Sequence, residues 1–502
     1  MAVKVMAHPS VADRVAQGAD ARSATPPEVH TGWRPADDRP DPVAQLEEQN
    51  VTREPDLVPV RHGRMMVSPF TFYRGAAKIM ATDLAATPTA GLVTQLCGDA
   101  HLSNFGVFAS PERDLLFDLN DFDETLPGPF EFDVKRMAAS FTIAARNNGL
   151  TTAEATFATQ ASVRAYREAM ARFARMRTMD IWYAHLSTTD LQAAFSKFAA
   201  AGSDDGKPSK TGKKGKAGKA PKGAKAGKKP RPGTTEWAAE RAQKNLRKAR
   251  TRDSLQALSK LGEIVDGHYR IVSQPPIVVP LRDIEKQYQM SASDLEQAVH
   301  NQFREYRSTL QDDRRHLLER FEVIDMARKV VGVGSVGTRA FIVLLQGRDE
   351  QDPLFLQVKE ATRSVLEGHL PKSRFHNPGE RVVQGQRRMQ ATSDIFLGWT
   401  KGAQADRYLY WRQLRDMKGS ALVDSMSSFG LNYYAGLCGW TLARAHARAG
   451  DPVVIDAYLG TDDGFDKSIT DFSHRYADQN EQDYQEFVAA VRSGRIDAVE
   501  GV

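Results

Sequence analysis

Residues 131–149, "EFDVKRMAASFTIAARNNG", carry apolar side chains at steps of three and four and stop at a glycine. That spacing lays one apolar face along a helix, and the closing Gly is a helix stop signal. The same period predicts helices in "LNYYAGLCGWTLARAHARAG" (431–450) and "DQNEQDYQEFVAAVRSG" (478–494). "SASDLEQAVHNQFREYRSTLQ" (291–311) reads as a helix opened by a Ser/Asp cap, and 236–261 as a charged amphipathic helix. The texture changes near 328. "KVVGVGSVGTRAFIVLLQG" and "PLFLQVKEA" are rich in β-branched residues and broken by Gly, which predicts strands. "DLLFDLN" (114–120) alternates apolar and polar residues and reads as another strand. No internal repeat is visible. The predicted class is α+β, with strands concentrated near 328–360 and helices elsewhere.

Segment boundaries follow from the same pattern. Residues 1–60 are Pro- and Asp-rich with little periodicity and read as an extended arm. The remaining units are 61–202, a low-complexity insert at 203–235, a helical segment at 236–325, a strand-rich unit at 326–420 and C-terminal helices at 421–502.

Composition changes this picture in one place. The chain has 502 residues, 41% hydrophobic and 26% charged, enough to bury a large core. No apolar run approaches the roughly 18–20 residues that span a bilayer, so no membrane partner is expected. The N-terminus lacks the apolar segment of a secretory signal. The two cysteines, Cys97 and Cys438, make no disulfide framework and fit a reducing cytoplasm. The net charge of +5 is local in origin. Residues 207–231 hold ten Lys, one Arg and no acid, and without those eleven charges the chain would carry −6. Lys, Gly, Ala and Pro cannot bury enough apolar surface to offset ordering entropy, so the insert reads as disordered. It could touch nucleic acid or an acidic surface weakly, by charge alone.

Two motifs carry chemistry. "CGDAHLSNFGVF" (97–108) sets Asp99 and Asn104 five residues apart, and "NDFDE" follows with Asp121 and Asp123. Gly332, Gly334 and Gly337, with Ser335 among them, form G-x-G-x-x-G. A dinucleotide site requires a helix right after such glycines. Here "TRAFIVLL" follows, which favours a strand–turn–strand hairpin whose backbone N–H groups approach phosphates. Lys359 sits on the next apolar strand, where a lone amine is costly unless paired or at a ligand. Phosphoryl transfer from ATP asks for this set: a phosphate cradle, a Lys, Mg²⁺ on Asp and Asn oxygens, and a carboxylate near the incoming hydroxyl. Arg61, Arg64 and Arg74 precede the first motif and could grip an anionic substrate, and His101 could position one.

"CGDAHLSNFGVF…LLFDLNDFDETLPGPFEFDVKR" resembles the catalytic and metal motifs of aminoglycoside- and choline-kinase-like enzymes. "VGVGSVGTRAFIVLL…LQVKEA" is similar to their glycine-rich hairpin and its Lys. The chain outside the insert resembles the bacterial domain-of-unknown-function 2252 family, through "RHGRMMVSPFTFYRGAA", "GPFEFDVKRMAAS", "GVGSVGTRAFIVLL" and "YADQNEQDY". The resemblance implies a two-lobed protein-kinase-like fold, with a small antiparallel-sheet lobe and a larger helical lobe. It implies Asp99 as catalytic base, Asn104 and Asp121 as catalytic and metal-binding residues, and Asp133 as a buried tie to the catalytic loop. Gly332, Gly334, Ser335, Gly337 and Lys359 would hold ATP. Glu380 is the candidate partner of Lys359, with Glu367 as the alternative. The implied function is ATP- and Mg²⁺-dependent phosphotransfer to a small-molecule hydroxyl. Cys97 stands where the motif His usually is, and "DFDE" replaces DFG, so Asp123 competes with Asp121 for the metal. The motif order is reversed relative to kinases, which implies circular permutation, with "GLCGWTLARAHARAGD" (436–451) as the helix that normally leads into the catalytic loop. A metal-dependent phosphohydrolase, a nucleotidyl transferase on the same scaffold and a non-catalytic ATP-binding module use the same residues.

Deleting 207–231 should leave the melting temperature and nucleotide binding unchanged, because a segment whose only apolar residues are Ala and Pro adds no core. A large drop in a thermal melt would show instead that the insert packs against the fold.

Overall fold

A computed structural model of the chain describes residues 8–193 and 246–501, apart from 266–267, 284–291, 331, 404–405 and 415–416, together with positions 240 and 244. The insert at 203–235 and positions 236–239, 241–243 and 245 of the helix predicted at 236–261 lie outside the described residues; the described part of that helix breaks at 251–253 and resumes as Ser254–Leu261.

The helix predicted at 131–149 is Phe130–Asn147, and it is buried along nearly its whole length. It packs on Thr152–Phe173, which in turn lies along Ser428–Ala449, and the 29-residue helix Gly464–Arg492 covers the other side. The largest apolar cluster of the chain fills the space between these helices and the short strands beside them. Alanines at 138, 139, 144, 145, 155 and 158 are at most 1% exposed, and such small side chains let the helix axes approach closely.

The strand-rich unit is a six-stranded antiparallel sheet. Its spatial order is Gly398–Lys401, Tyr408–Gln413, Pro353–Glu360, Ala340–Gln346, Glu322–Lys329, Val278–Pro280. The central strands are apolar on both faces because both are covered. On one side Tyr306, from the helix Ala292–Ser308, stacks on Trp411 at 4.6 Å between ring centroids. On the other, Ala257, Leu258 and Leu261 pack against Ile342, Leu344 and Phe355. The helix Pro378–Met389 lies against the strands Gly398–Lys401 and Tyr408–Gln413.

Three expectations change. Residues 1–60 are not an extended arm. Val11–Ala24 is a helix closed by a Ser10/Asp13 capping box, and it packs on the helix Pro452–Leu459. Pro42–Asn50 is a second helix, capped by Asp41. Strands are not confined to 328–360: Val93–Leu96 pairs with Leu126–Pro129, and Phe105–Ala109 with Leu115–Leu119. The segment 236–325 likewise contains the hairpin Gly262–Val265/His268–Ile271 and the strand Val278–Pro280.

The N-terminal segment is fixed by polar contacts to the C-terminal helices. Arg39 bridges Asp83 at 2.6 Å and Asp483 at 2.6 Å. His30, 2% exposed, faces the Tyr458 hydroxyl at 3.1 Å. Burial, and secondarily the Lys135 charge, pushes its pKa from 6.5 down to about 3. The unfolded chain therefore takes up this proton first, so stability is present above pH 6.5 and is lost as pH falls toward 3. In denaturant titrations at pH 6.5 and 5, His30→Gln should lower the stability slope by at most about 1.4 kcal/mol per pH unit, the remainder belonging to other buried histidines such as His62 and His101. Equal slopes in the two proteins would mean that His30 is not the group responsible.

Candidate functional site

The stretch 97–104 is built by a helix that lies outside it. Asp133, in the first turn of Phe130–Asn147, accepts the backbone N–H of Cys97 at 2.8 Å and of Gly98 at 3.0 Å. His446 completes the carboxylate from the helix Ser428–Ala449 at 3.2 Å, and its other ring nitrogen faces the Tyr166 hydroxyl at 2.9 Å. Gly98 has φ +85°, and a Cβ there would fall 2.2 Å from the Glu124 carbonyl, so only glycine fits. One turn beyond Asp133, Arg136 donates to Asp99 Oδ1 at 2.7 Å and to the Tyr73 carbonyl at 2.8 Å, with its guanidinium 3.8 Å above the Tyr73 ring. A single helix thus holds the loop backbone and the Asp99 side chain. Asn104 donates to the Asp99 carbonyl at 2.8 Å, and its Oδ1 takes no hydrogen bond among the described residues.

The acidic loop follows Leu115–Leu119. Asp118, on that strand, forms a fully buried pair with Arg444 and accepts the Ala391 N–H at 2.8 Å. Beyond it, Lys359 Nζ lies 2.6 Å from Asp123 Oδ2 and 3.9 Å from Asp121 Oδ2. Tyr410 donates to Asp123 Oδ1 at 2.6 Å, and Ser335, in the glycine-rich turn, donates to Oδ2 at 3.3 Å. Burial works against all of these charges. For Asp123, Lys359 overcomes it and holds the carboxyl down at about 2. For Lys359, Asp121 and Asp123 overcome it and hold the amine above its ordinary range. Asp121 goes the other way: burial, reinforced by the Asp123 charge, raises it.

The glycines join Glu322–Lys329 to Ala340–Gln346, with Gly332 and Gly337 at φ +58° and +86°. The N-terminal segment grips this turn by its carbonyls. Arg53 donates to Val336, the Glu54 N–H to Gly337 at 2.8 Å, and Arg64 to Gly332 at 2.7 Å.

The structure thus brings Asp121, Asp123, Lys359 and Ser335 into one cluster, and joins Asp99 to Asn104 through the loop backbone. Glu380 does not join the cluster. It sits in the first turn of Pro378–Met389 and forms no ion pair with Lys359, whose amine is already neutralised by Asp123. Glu367 lies in the short helix Val365–Gly368 and is not a partner of Lys359 either. The residue next to Glu380, Arg381, makes the link from the helix Pro378–Met389, donating to the carbonyls of Thr125 at 2.6 Å, Asp123 at 2.7 Å and Thr362 at 2.9 Å. Arg61 is fully buried on Gln49, Asn50 and the Gly75 carbonyl, so it cannot reach a substrate. Arg74 lies near enough to Asp99 for the charges to interact. His101 is buried 3.7 Å from Asp99.

Sequence reasoning did not single out Arg136, Arg381, Tyr410 or Arg53. Arg136 alone had a local signal, three residues after Asp133 on the same predicted helix. Among the described residues, no three His, Cys, Asp or Glu side chains gather into a ready-made metal centre. Mg²⁺ takes one or two carboxylates and few other protein oxygens when phosphates complete its shell, and Asp121 and Asn104 are residues of that chemistry.

The chain belongs to the family described as uncharacterized protein conserved in bacteria (DUF2252), which it matches over residues 53–207 and 222–490. The unmatched gap, 208–221, falls within the Lys-rich insert. No curated protein and no solved structure matches the chain. No helix among the described residues is long and apolar enough to cross a membrane.

Replacing Asp133 by Ala would strand two buried N–H groups and a buried histidine. The expected loss is roughly 3–5 kcal/mol in equilibrium unfolding, with Asp133→Asn intermediate because it keeps one acceptor. A loss under about 1 kcal/mol for Asp133→Ala would show that the loop is held by other contacts.

Proposed function

We propose that the chain is an ATP- and Mg²⁺-dependent phosphotransferase acting on a small-molecule hydroxyl. One observation carries the reading: Lys359, the glycine-turn residue Ser335 and the acidic pair Asp121/Asp123 converge, although the lysine is 236 residues from Asp123 in the chain. A nucleotide triphosphate needs such a meeting of hairpin, lysine and carboxylates.

The two-lobed, circularly permuted arrangement is part of the proposal. It is supported by the antiparallel sheet carrying the glycine turn and Lys359, with the helix Pro378–Met389 beside it. It is also supported where the lead-in helix ends. The Thr94 hydroxyl donates to the His446 carbonyl at 3.3 Å, so the last turn of Ser428–Ala449 abuts the strand that runs into Cys97–Asn104. A chain cut elsewhere and joined there would read in kinase order.

In this reading Asp99 orients the acceptor hydroxyl and takes its proton as the oxygen attacks the γ-phosphorus. The bond from that phosphorus to the β–γ bridging oxygen breaks, and ADP leaves. Arg136 fixes the carboxylate of Asp99 by occupying Oδ1, which leaves Oδ2 for the hydroxyl. Lys359 would exchange its contact with Asp123 for phosphate oxygens, and the backbone N–H groups of Gly332–Gly337 would cover them. Asp121 and Asn104, with Asp123 as the alternative carboxylate, would hold Mg²⁺, whose chemistry there is to supply positive charge against that of the phosphates.

³¹P spectra of the protein mixed with Mg–ATP and a metabolite extract should show ADP and a new phosphoester. Asp121→Asn should abolish turnover. Asp99→Asn should keep nucleotide binding and slow transfer roughly 10²–10⁴-fold. Lys359→Ala should weaken binding and turnover together. Parent rates in both Asp99→Asn and Lys359→Ala would remove the phosphotransferase reading. AMP transfer or plain hydrolysis in the same spectra would replace it.

A further inference from the structure

Beside the Lys359 cluster lies a cavity of about 60 Å³. That is several times the roughly 10–15 Å³ needed for one water. Its lining residues are Phe108 and Ala109 together with the polar side chains Asn120, Gln386, Gln390, Asp394, Arg412, Gln413 and Lys418. Asn120 immediately precedes Asp121, and Arg412 follows Tyr410 by two residues on the same strand.

The hydrogen-bonding capacity of this lining is unbalanced. Arg412 commits Nε to Gln357 at 3.0 Å and Nη1 to the Asn120 carbonyl at 3.3 Å, and Nη2 makes no hydrogen bond to the described residues. Lys418 Nζ makes no ion pair or hydrogen bond among them either. The Asn120 amide nitrogen is buried without a partner. The acceptors are mostly spent. Asp394 takes the N–H groups of Phe396 and Gln413, and Gln390 Oε1 takes Gln386 Nε2. Only Gln386 Oε1 is buried and unpartnered on the acceptor side. Three donors without a hydrogen-bond partner among the described residues, Arg412 Nη2, Lys418 Nζ and the Asn120 amide, therefore share one small cavity, in which Asp394, the one carboxylate of the lining, already takes two backbone N–H groups and the other acceptors are uncharged amide oxygens. Asn120 is nine-tenths buried, Arg412 and Lys418 are half-buried, and the ligand that would pair with all three donors at once is an oxyanion.

We propose that this cavity is an oxyanion subsite, taking a phosphate group through Arg412, Lys418 and the Asn120 amide. Burial and the neighbouring Arg412 charge push the Lys418 ammonium down to about 7, and an anion beside it would restore the proton. The phosphate belongs either to the tail of the nucleotide or to an anionic acceptor. The inference builds on the phosphotransferase reading for that assignment, and not for the binding itself.

Calorimetric titration of the full-length protein with pyrophosphate, in metal-free buffer, tests it. One site is expected, weakened roughly ten- to hundredfold by Lys418→Met and by Asn120→Asp, and recovered in Lys418→Arg. Thermal melts identify variants that remain folded. No binding by the parent protein overturns the proposal. So does unchanged affinity in folded Lys418→Met and Asn120→Asp, or affinity that follows Lys359→Ala instead. Loss of the pyrophosphate site at saturating ATP assigns it to the nucleotide tail, and its persistence assigns it to the acceptor. Turnover is not read in this titration. A protein that binds pyrophosphate here and leaves Mg–ATP intact keeps the subsite and loses the phosphotransferase.

Discussion

The carboxylate of Asp133 is the point from which the candidate site is built. A buried charge is tolerated only when its hydrogen-bonding capacity is filled, and here two loop amides and a histidine fill it. The requirement acts in both directions. The loop 97–104 has no regular structure of its own beyond one short 3₁₀ turn, so its backbone needs those acceptor oxygens as much as the carboxylate needs donors. Because Asp133 sits in the first turn of a rigid, buried helix, the loop inherits that rigidity. Asp99 then receives Arg136 from the next turn of the same helix, and its carboxylate is fixed before any ligand arrives.

A second buried charge pair extends the frame. Asp118 and Arg444 join the strand before the acidic loop to the helix Ser428–Ala449, and the Ala391 N–H brings in the segment after Pro378–Met389. Such a pair adds little net stability over an apolar substitute, yet removing one partner leaves an uncompensated charge. Its effect is positional. It sets the strand from which Asp121 and Asp123 emerge, and Lys359 and Tyr410 then meet those carboxylates from the sheet.

Much of this was legible because the signals are local. Asp99 and Asn104 are five residues apart, Asp121 ends a clear strand pattern, and the glycine turn is flanked by β-branched runs. The two N-terminal helices carried signals too, the Ser10/Asp13 capping box and Asp41 before Pro42, but Pro and Asp enrichment read as an arm. What could not be read is the pairing of residues far apart. Tyr410 is 287 positions from Asp123, and Arg381 is 258. Nothing in "YLYW" or "GERVV" distinguishes a side chain that reaches an acidic loop from one that meets solvent. Glu380 and Arg381 show the limit directly: helical spacing located the right turn of the right helix, and the adjacent residue makes the contact.

The long reach of these contacts fixes an order of assembly. Residues 97–123 leave the ribosome early, while Lys359, Tyr410 and His446 follow only after hundreds more residues. Until then the acidic loop has no counter-charge and Asp133 lacks its histidine. Helices such as Phe130–Asn147 and Thr152–Phe173 can form as they are made, from contacts close in sequence. The cleft cannot. A chain released before residue 359 would hold its first helices beside an unneutralised cluster of carboxylates, and one released before residue 446 would still leave Asp133 without its histidine.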